Sequence, residues 1–496
     1  MKALRPGRVR SRLTFARLAA AGCAMLVGAA VIVGHAVSNA ATLPPVATGD
    51  TRNVTEPSLP TTTCATLSAG LTMANRKSGS TQEQTPPDTG RIQSALNGCS
   101  QSGSTPVAVK LVASGVHVAF LAGPLTIPAG VALVIDSNVT LYASLNAGNY
   151  QVSGASATCG TVSSNSGGCH PFITVNGSNS GIEGVRASSG AQGRIDARGD
   201  LDILGTSTTW WDLAAQAKSS GQTQNNFRMI QTSHANNFTL YNIDLLNSPN
   251  FHVSYQNGTG FTAWGVRIKT PATAGNTDGI DPSGATNVTV AFSYVQDGDD
   301  GIAIKAGSAA SKNITIRDSH FYGTHGISIG SETTSGVTNV LVERNTLTGT
   351  DSAGNAGGST IGVRIKSSPA AGGTVNQVSY LSTCVTLVKQ PLVFDTHYAN
   401  GTGSTTPFFT NILVNGMRST SSVSSGSNVM SGLDSAHPLG LTLENVSLDK
   451  TTTTAQFANV GLFNSNVTPS GTGVTTGTVS GSGSAPSCSF PSYPAL

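Results

Sequence analysis

From Val107 onward the chain alternates apolar and polar residues in short bursts. "VAVKLVA", "VHVAFLAG", "LTIPAGVALVID" and "VTLYAS" follow one another with little between them. A period of two marks strands that turn one face to a core. Val, Ile and Thr suit such a pleated, half-buried surface. One stretch departs from the pattern. In "DTGRIQSALNGC", from Asp88, Ile92, Ala95 and Leu96 recur at helical spacing. This predicts one short helix, placed to cap the end of a β-structure.

The bursts repeat. "NVTV" opens at Asn287, "NITI" at Asn313 and "NVLV" at Asn339, both intervals being 26 residues. "NFTLYNIDLL" from Asn237 and "NILVNG" from Asn411 carry the same element. A second element lies between them, a glycine followed by alternating Ile or Val: Gly279, Gly301, Gly326 and Gly362, at intervals of 22, 25 and 36. Periods in this range mean stacked repeats. Because the units are strands, the expected fold is all-β: a single-domain, right-handed parallel β-helix with a short N-terminal capping helix. Asn at one phase of successive coils predicts a side-chain ladder. The alternative reading, for the Asn-x-Ser/Thr triplets at Asn237, Asn287 and Asn313, is glycosylation.

Stacking places equal phases side by side, about 4.8 Å apart. Asp278 precedes Gly279, Asp299 and Asp300 precede Gly301, and His325 precedes Gly326. These four residues should therefore cluster on three consecutive coils. Arg364 and Lys366 alternate with Val363 and Ile365, which puts them on the outer face of a fourth coil. A straight strand would turn the residue before each glycine inward, so a bend at the glycine has to re-aim it.

Composition adds a compartment. The 496 residues carry 27 basic and 24 acidic side chains, a net of +3. Six of the basic residues lie in "MKALRPGRVRSRLTFAR", which precedes the apolar run "LAAAGCAMLVGAAVIVG". That order reads as a secretory signal over residues 1–40, cleaved after Ala40, with an uncleaved anchor as the alternative. Without it the balance is 21 to 24, or −3, so the apparent basicity gives no ground for nucleic-acid binding. Residues 41–80 are rich in Thr, Pro and Ser and expected to be loose; residues 81–496 form the β-helix. Six cysteines remain, an even number in an exported chain, which predicts disulfides. Cys159 and Cys169 are the easiest pair, and Cys64–Cys99 with Cys384–Cys488 would pin the two ends, among fifteen possible pairings.

The row of acids, a histidine and two cations has a chemical reading. Hydrolysis of a glycosidic bond uses one carboxylic acid to protonate the leaving oxygen and a carboxylate to activate water. Crowded carboxylates push one another's pKa values apart. Arg and Lys beyond them would hold an anionic sugar. Taken singly, "NTDG" and "GDDG" are turn strings, a His before Gly is structural, and "RIK" is a solvated strand face. It is their common phase and order that favour a site.

These motifs, "NTDG" at Asn276–Gly279, "GDD" at Gly298–Asp300, "HG" at His325–Gly326 and "RIK" at Arg364–Lys366, resemble those of the polygalacturonases, glycoside hydrolase family 28. The similarity extends over most of the chain after the leader, through "GRIDARG", "WWDL" and "NSPNFHV". The resemblance implies Asp299 as general acid, and Asp278 and Asp300 as the carboxylates that activate water with inversion. It gives His325 the support of the acid and Arg364 and Lys366 the binding of a galacturonate carboxylate on the leaving-group side. Tyr398 would bind substrate, and Asn276 would shape the first motif. It implies an enzyme on an acidic plant cell-wall polysaccharide, polygalacturonate or pectin, without metal or cofactor; the leader adds secretion, and the lack of a long blocking insert favours endo action. A monomer is the default. Thr324 stands where many members have Gly, and Gly301 where a cysteine is common. Three other readings stay open: exo action, a calcium-dependent pectate lyase with Asp297, Asp299 and Asp300 as ligands, and a β-helical surface protein without chemistry.

Overall fold

The computed structural model describes residues 40–423 and 425–496. The signal reading therefore falls almost wholly on residues 1–39, outside the described residues. No helix among the described residues is long and apolar enough to cross a membrane.

The strands stack in parallel into a right-handed β-helix. One long face is an 11-stranded sheet running from Leu125–Ile127 to Thr453–Gln456, and a 22-stranded sheet wraps the other faces. The glycine-led bursts lie next to one another in the first sheet: Ile280–Ser283, Ile302–Ile304, Ile327–Ile329 and Ile361–Lys366. Their register pairs Ile280 with Ile302, Ile302 with Ile327, and Ile327 with Val363. All four point inward and are at most 1% exposed. Removing this apolar column from water stabilises the stack, at roughly 25 cal/mol per Å² buried.

Glycine recurs in this column because the next coil leaves no room for anything else. A Cβ on Gly279 would strike the carbonyl of Gly301, one on Gly326 that of Gly362, and one on Gly362 that of Pro391. On Gly301 it would lie 2.7 Å from the Phe321 ring.

The asparagines form the expected ladder. Asn313 Nδ2 donates to Asn287 Oδ1 (3.1 Å), and Asn339 Nδ2 to Asn313 Oδ1 (2.9 Å). All three have φ between 54° and 58°. Asn tolerates this left-handed backbone better than other side chains do.

The helix predicted after Asp88 spans Thr89–Gly98 and buries Ile92 and Leu96. Gln93 bonds the Thr126 backbone twice, which docks the helix on the first strand of the long sheet. Two further helices, Ser80–Gln84 and Trp210–Ser220, escaped the sequence reading; Thr209 and Asp212 form the capping box of the longer one. The three disulfides pair as expected: Cys64–Cys99, Cys159–Cys169 and Cys384–Cys488.

The segment 41–80 is not loose, and the body begins before residue 81. Thr63–Ser68 pairs in parallel with Val107–Val112. Ahead of it the chain runs as a strap across several coils. Thr48 and Gly49 donate their N–H groups to Asn339 Oδ1, Asp50 N to Thr315 Oγ1, Thr51 Oγ1 to Asn287 Oδ1, and Tyr241 donates its hydroxyl to Glu56. The strap thus lies over the asparagine ladder and uses it for its own hydrogen bonds. A Thr/Pro/Ser-rich sequence has no apolar period to announce this; the strap is held mainly by polar partners far away in the chain, with Leu59 packed against the cluster of Ala108, Ala132 and Val134.

Replacing Asn313 by Ala leaves the left-handed backbone without the short polar side chain that tolerates it, and removes a rung. The expected loss is about 1–2 kcal/mol from the two ladder hydrogen bonds and the poorer fit to the backbone together, read as a lower denaturant midpoint with unchanged slope. An unaltered midpoint would mean that the ladder contributes nothing to stability.

Candidate active site

The residues before the glycines are not on strands. Asp278, Asp299, Asp300 and His325 occupy the turns that precede Ile280, Ile302 and Ile327. The turn supplies the bend that the sequence required, and directs these side chains to the outer face.

Asp299 and His325 meet directly, with Nδ1 2.9 Å from Asp299 Oδ1. Asn276 Nδ2 approaches the other oxygen at 3.4 Å, and Gln224 Nε2 in turn donates to Asn276 Oδ1 (3.2 Å). Asp300 is held from the opposite side. Lys366 Nζ donates to its Oδ2 at 2.8 Å, Ser328 Oγ to its Oδ1 at 2.8 Å, and Arg364 bonds the same Oδ1. Ser328 is set by register, lying beside Arg364 in the sheet. Arg364 and Lys366 are on the outer face as expected. They are not open to solvent, however, being 3% and 6% exposed. The Tyr398 ring covers them, with Lys366 Nζ 4.9 Å and the Arg364 guanidinium 5.6 Å from its centroid. Tyr398 itself is 48% exposed.

Asp278 lies deeper. Its Oδ1 is buried without a hydrogen-bond partner, and Lys305 Nζ is 3.9 Å from Oδ2. Lys305 sits closer to Asp281, at 2.9 Å. His252 holds the turn from beneath: Nδ1 lies 3.1 Å from the carbonyls of Thr277 and Asp278, and Nε2 2.9 Å from Thr270 Oγ1. Burial pushes its pKa down to about 4, so the ring is neutral and serves as a brace.

The carboxyls are therefore electrostatically unlike. Burial, reinforced by Asp281 and Asp299, drives the Asp278 pKa well above the ordinary 3.8. Burial pushes Asp299 up as well, but the His325 hydrogen bond and charge, with Lys366 and Arg364, outweigh it and hold Asp299 down at about 2. In the free site Asp278 is therefore the harder of the two to ionise and Asp299 the easier. This is the separation of titrations that acid–base pairs need.

Asp299, His325, Asn276 and Arg364 line a cleft of about 1370 Å³, walled on one side by the Trp210–Ser220 helix and the Cys159–Cys169 loop. A family model, Glycosyl hydrolases family 28, matches residues 119–469. The chain belongs to that family. An endo-polygalacturonase of Pectobacterium parmentieri is 42% identical over 407 residues, covering 82% of this chain and 91% of the relative. A polygalacturonase of Ralstonia solanacearum is 38% identical, covering 88% and 85%. A solved polygalacturonase from Erwinia carotovora ssp. carotovora superposes with a TM-score of 0.70 at 40% identity, over 85% of this chain and all of that one.

Of the residues singled out in the sequence, Asn276, Asp299, His325, Arg364 and Tyr398 line this cleft, while Asp278, Asp300 and Lys366 are buried behind its wall. The calcium reading fits poorly. Asp299, Asp300 and His325 do bring ligand atoms within 4.8 Å of one another. Yet Asp300 is bound by two cations, and Asp297 is fully buried, its Oδ1 accepting from the Asp299 N–H at 3.0 Å. The three aspartates cannot surround one ion. Ser328, Lys305, Asp281 and His252 were missed. Ser328, Asp281 and Lys305 left a trace, as polar residues alternating with inward Ile.

Asp297 gives a test of this burial. Its Oδ2 has no partner, and burial raises its pKa well above 3.8. A raised carboxyl adds stability that is complete below the unfolded value and disappears as pH rises through the folded one. Asp297→Asn keeps the acceptor for the Asp299 N–H and removes the titration. The variant should match the wild type near pH 3 and gain on it steadily toward pH 7, measured as the difference in Tm. A constant difference across that range would contradict the assignment.

Proposed function

We propose that the chain is a secreted, monomeric polygalacturonase that hydrolyses the α-1,4 linkages of polygalacturonate from within, by an inverting acid–base mechanism. The observation that carries the reading is the row of unlike carboxyls beside Arg364 and Lys366, in a chain of this family whose relatives are named endo-polygalacturonase.

Asp299 is the proton donor and His325 its support. Asp278 and Asp300 receive the proton of the attacking water, as two carboxylates must when the configuration inverts. Arg364 and Lys366 bind the carboxylate of the sugar that leaves, and Tyr398 gives that sugar a ring to rest on. Asn276 holds the first motif against Asp299.

The resting protonation has to change for this to work. Lys366 and Arg364 are among the charges that depress Asp299. A galacturonate carboxylate docked on them cancels that influence and adds a negative charge of its own. Both effects raise Asp299, so the proton passes to it from its coupled neighbour Asp278 as substrate arrives; this leaves Asp278 ionised, and Asp300, released from its two cations, joins it as base. Coupled groups of this kind titrate as a unit.

Two measurements test the reading. Asp299→Asn should cut the release of reducing ends from polygalacturonate by roughly 10²-fold or more, with unaltered circular dichroism; near-normal activity would sink the assignment. The products should form a ladder of oligomers without unsaturated ends, and should still form in EDTA. The pH profiles then separate the protonation steps. Since kcat/KM reports the free enzyme and kcat the complex, the alkaline limb of kcat should fall at higher pH than that of kcat/KM. Coincident limbs would show that substrate does not raise the acid.

A further inference from the structure

The phase that assembles the acids continues beyond them. Ile230, Val253, Ile280, Ile302 and Ile327 pair in register across five coils. Two residues ahead of each lie Arg228, Phe251, Asp278, Asp300 and His325. Arg228 thus opens the same outward column, two strand spacings, or about 10 Å, before Asp278. Arg364 and Lys366 stand at its other end, past His325.

Arg228 lines the cleft with Phe251 and Gln231. Its guanidinium lies 4.8 Å from the centre of the Phe251 ring, which also receives Lys305 at 4.5 Å. Its side-chain hydrogen bond goes to a neutral group, Gln231 Oε1, at 3.0 Å. Among the described residues no carboxylate lies within 4.0 Å of it, unlike Lys305, Arg364 and Lys366, each of which has an aspartate. A half-buried guanidinium, seated on an aromatic ring with donors to spare, is a site for a planar anion.

We propose that Arg228 binds a uronate carboxylate of the substrate on the side of the acid row opposite Arg364 and Lys366, that is, on the side that does not leave. This rests on the polygalacturonase reading and extends it. Cations would then grip the polymer at both ends of the row, and the linkage between them would be drawn onto Asp278, Asp299 and Asp300. Phe251 fixes the guanidinium plane, and Gln231 fixes its rotation.

The test uses galacturonate oligomers of increasing length with wild type, Arg228→Gln and Arg228→Lys. Wild type should gain in kcat/KM when the oligomer grows long enough to reach Arg228. Arg228→Gln should lose roughly tenfold on those oligomers, mainly through KM, the size expected of one charge-assisted pair. It should also shift its cleavage frequencies along the oligomer. Arg228→Lys should recover part of the loss, and the loss should shrink on methyl-esterified oligomers, which carry no charge for Arg228 to meet. A merely structural role would give equal losses at every length and on esterified substrate. That outcome, or an Arg228→Gln variant with unchanged KM and cleavage pattern, overturns the proposal while leaving the polygalacturonase reading intact. A wild type that cleaves no galacturonate oligomer overturns both.

Discussion

Everything in the site depends on how closely one coil approaches the next. Adjacent strands of a parallel stack are held about 4.8 Å apart by their backbone hydrogen bonds. At Gly279, Gly326 and Gly362 a carbonyl of the following coil occupies the space where a Cβ would be. The glycines let the chain turn sharply into each strand, and the residue ahead of them is thrown outward. Residues tens of positions apart in sequence become neighbours at a fixed pitch. Few folds set carboxylates, a histidine and guanidinium groups in a line with so little adjustment.

That pitch also fixes the electrostatics. Asp278 is buried with an unpartnered oxygen, while Asp299 meets His325 one coil further on. Asp300, next to Asp299 in the chain, faces Ser328, Arg364 and Lys366. Three aspartates on two turns thereby have three environments. Burial governs the first, a hydrogen-bonded histidine the second, and a pair of cations the third. Chemistry that needs one protonated and one ionised carboxyl follows from the arrangement and from no special property of any single residue.

The long straps belong to the same physics. A β-helix leaves its outer faces polar and its ends open. The N-terminal strap binds the asparagine ladder, and the C-terminal tail is tied by Cys384–Cys488 and by the Tyr493 hydroxyl donating to the Ile268 carbonyl. Each joins coils that otherwise touch only their nearest neighbours. None of this could be read from "ATLPPVATGD" or from the Gly/Ser-rich tail, because hydrogen bonds to distant side chains leave no period in the sequence.

The sequence by itself determined the repeat, the inward column of Ile and Val, the asparagine ladder, the short cap and the order of the motif residues. All of these are periodic or local, so the spacing along the chain is enough to express them. Tertiary structure decided what spacing cannot encode. It showed Arg364 and Lys366 engaged with Asp300, His252 neutral beneath the turn of Asp278, Lys305 paired with Asp281, and Arg228 without a carboxylate at the head of the column. Those outcomes depend on which side chain fills a given volume first and on how much water it excludes. Burial and partner choice are properties of the packed coil stack as a whole.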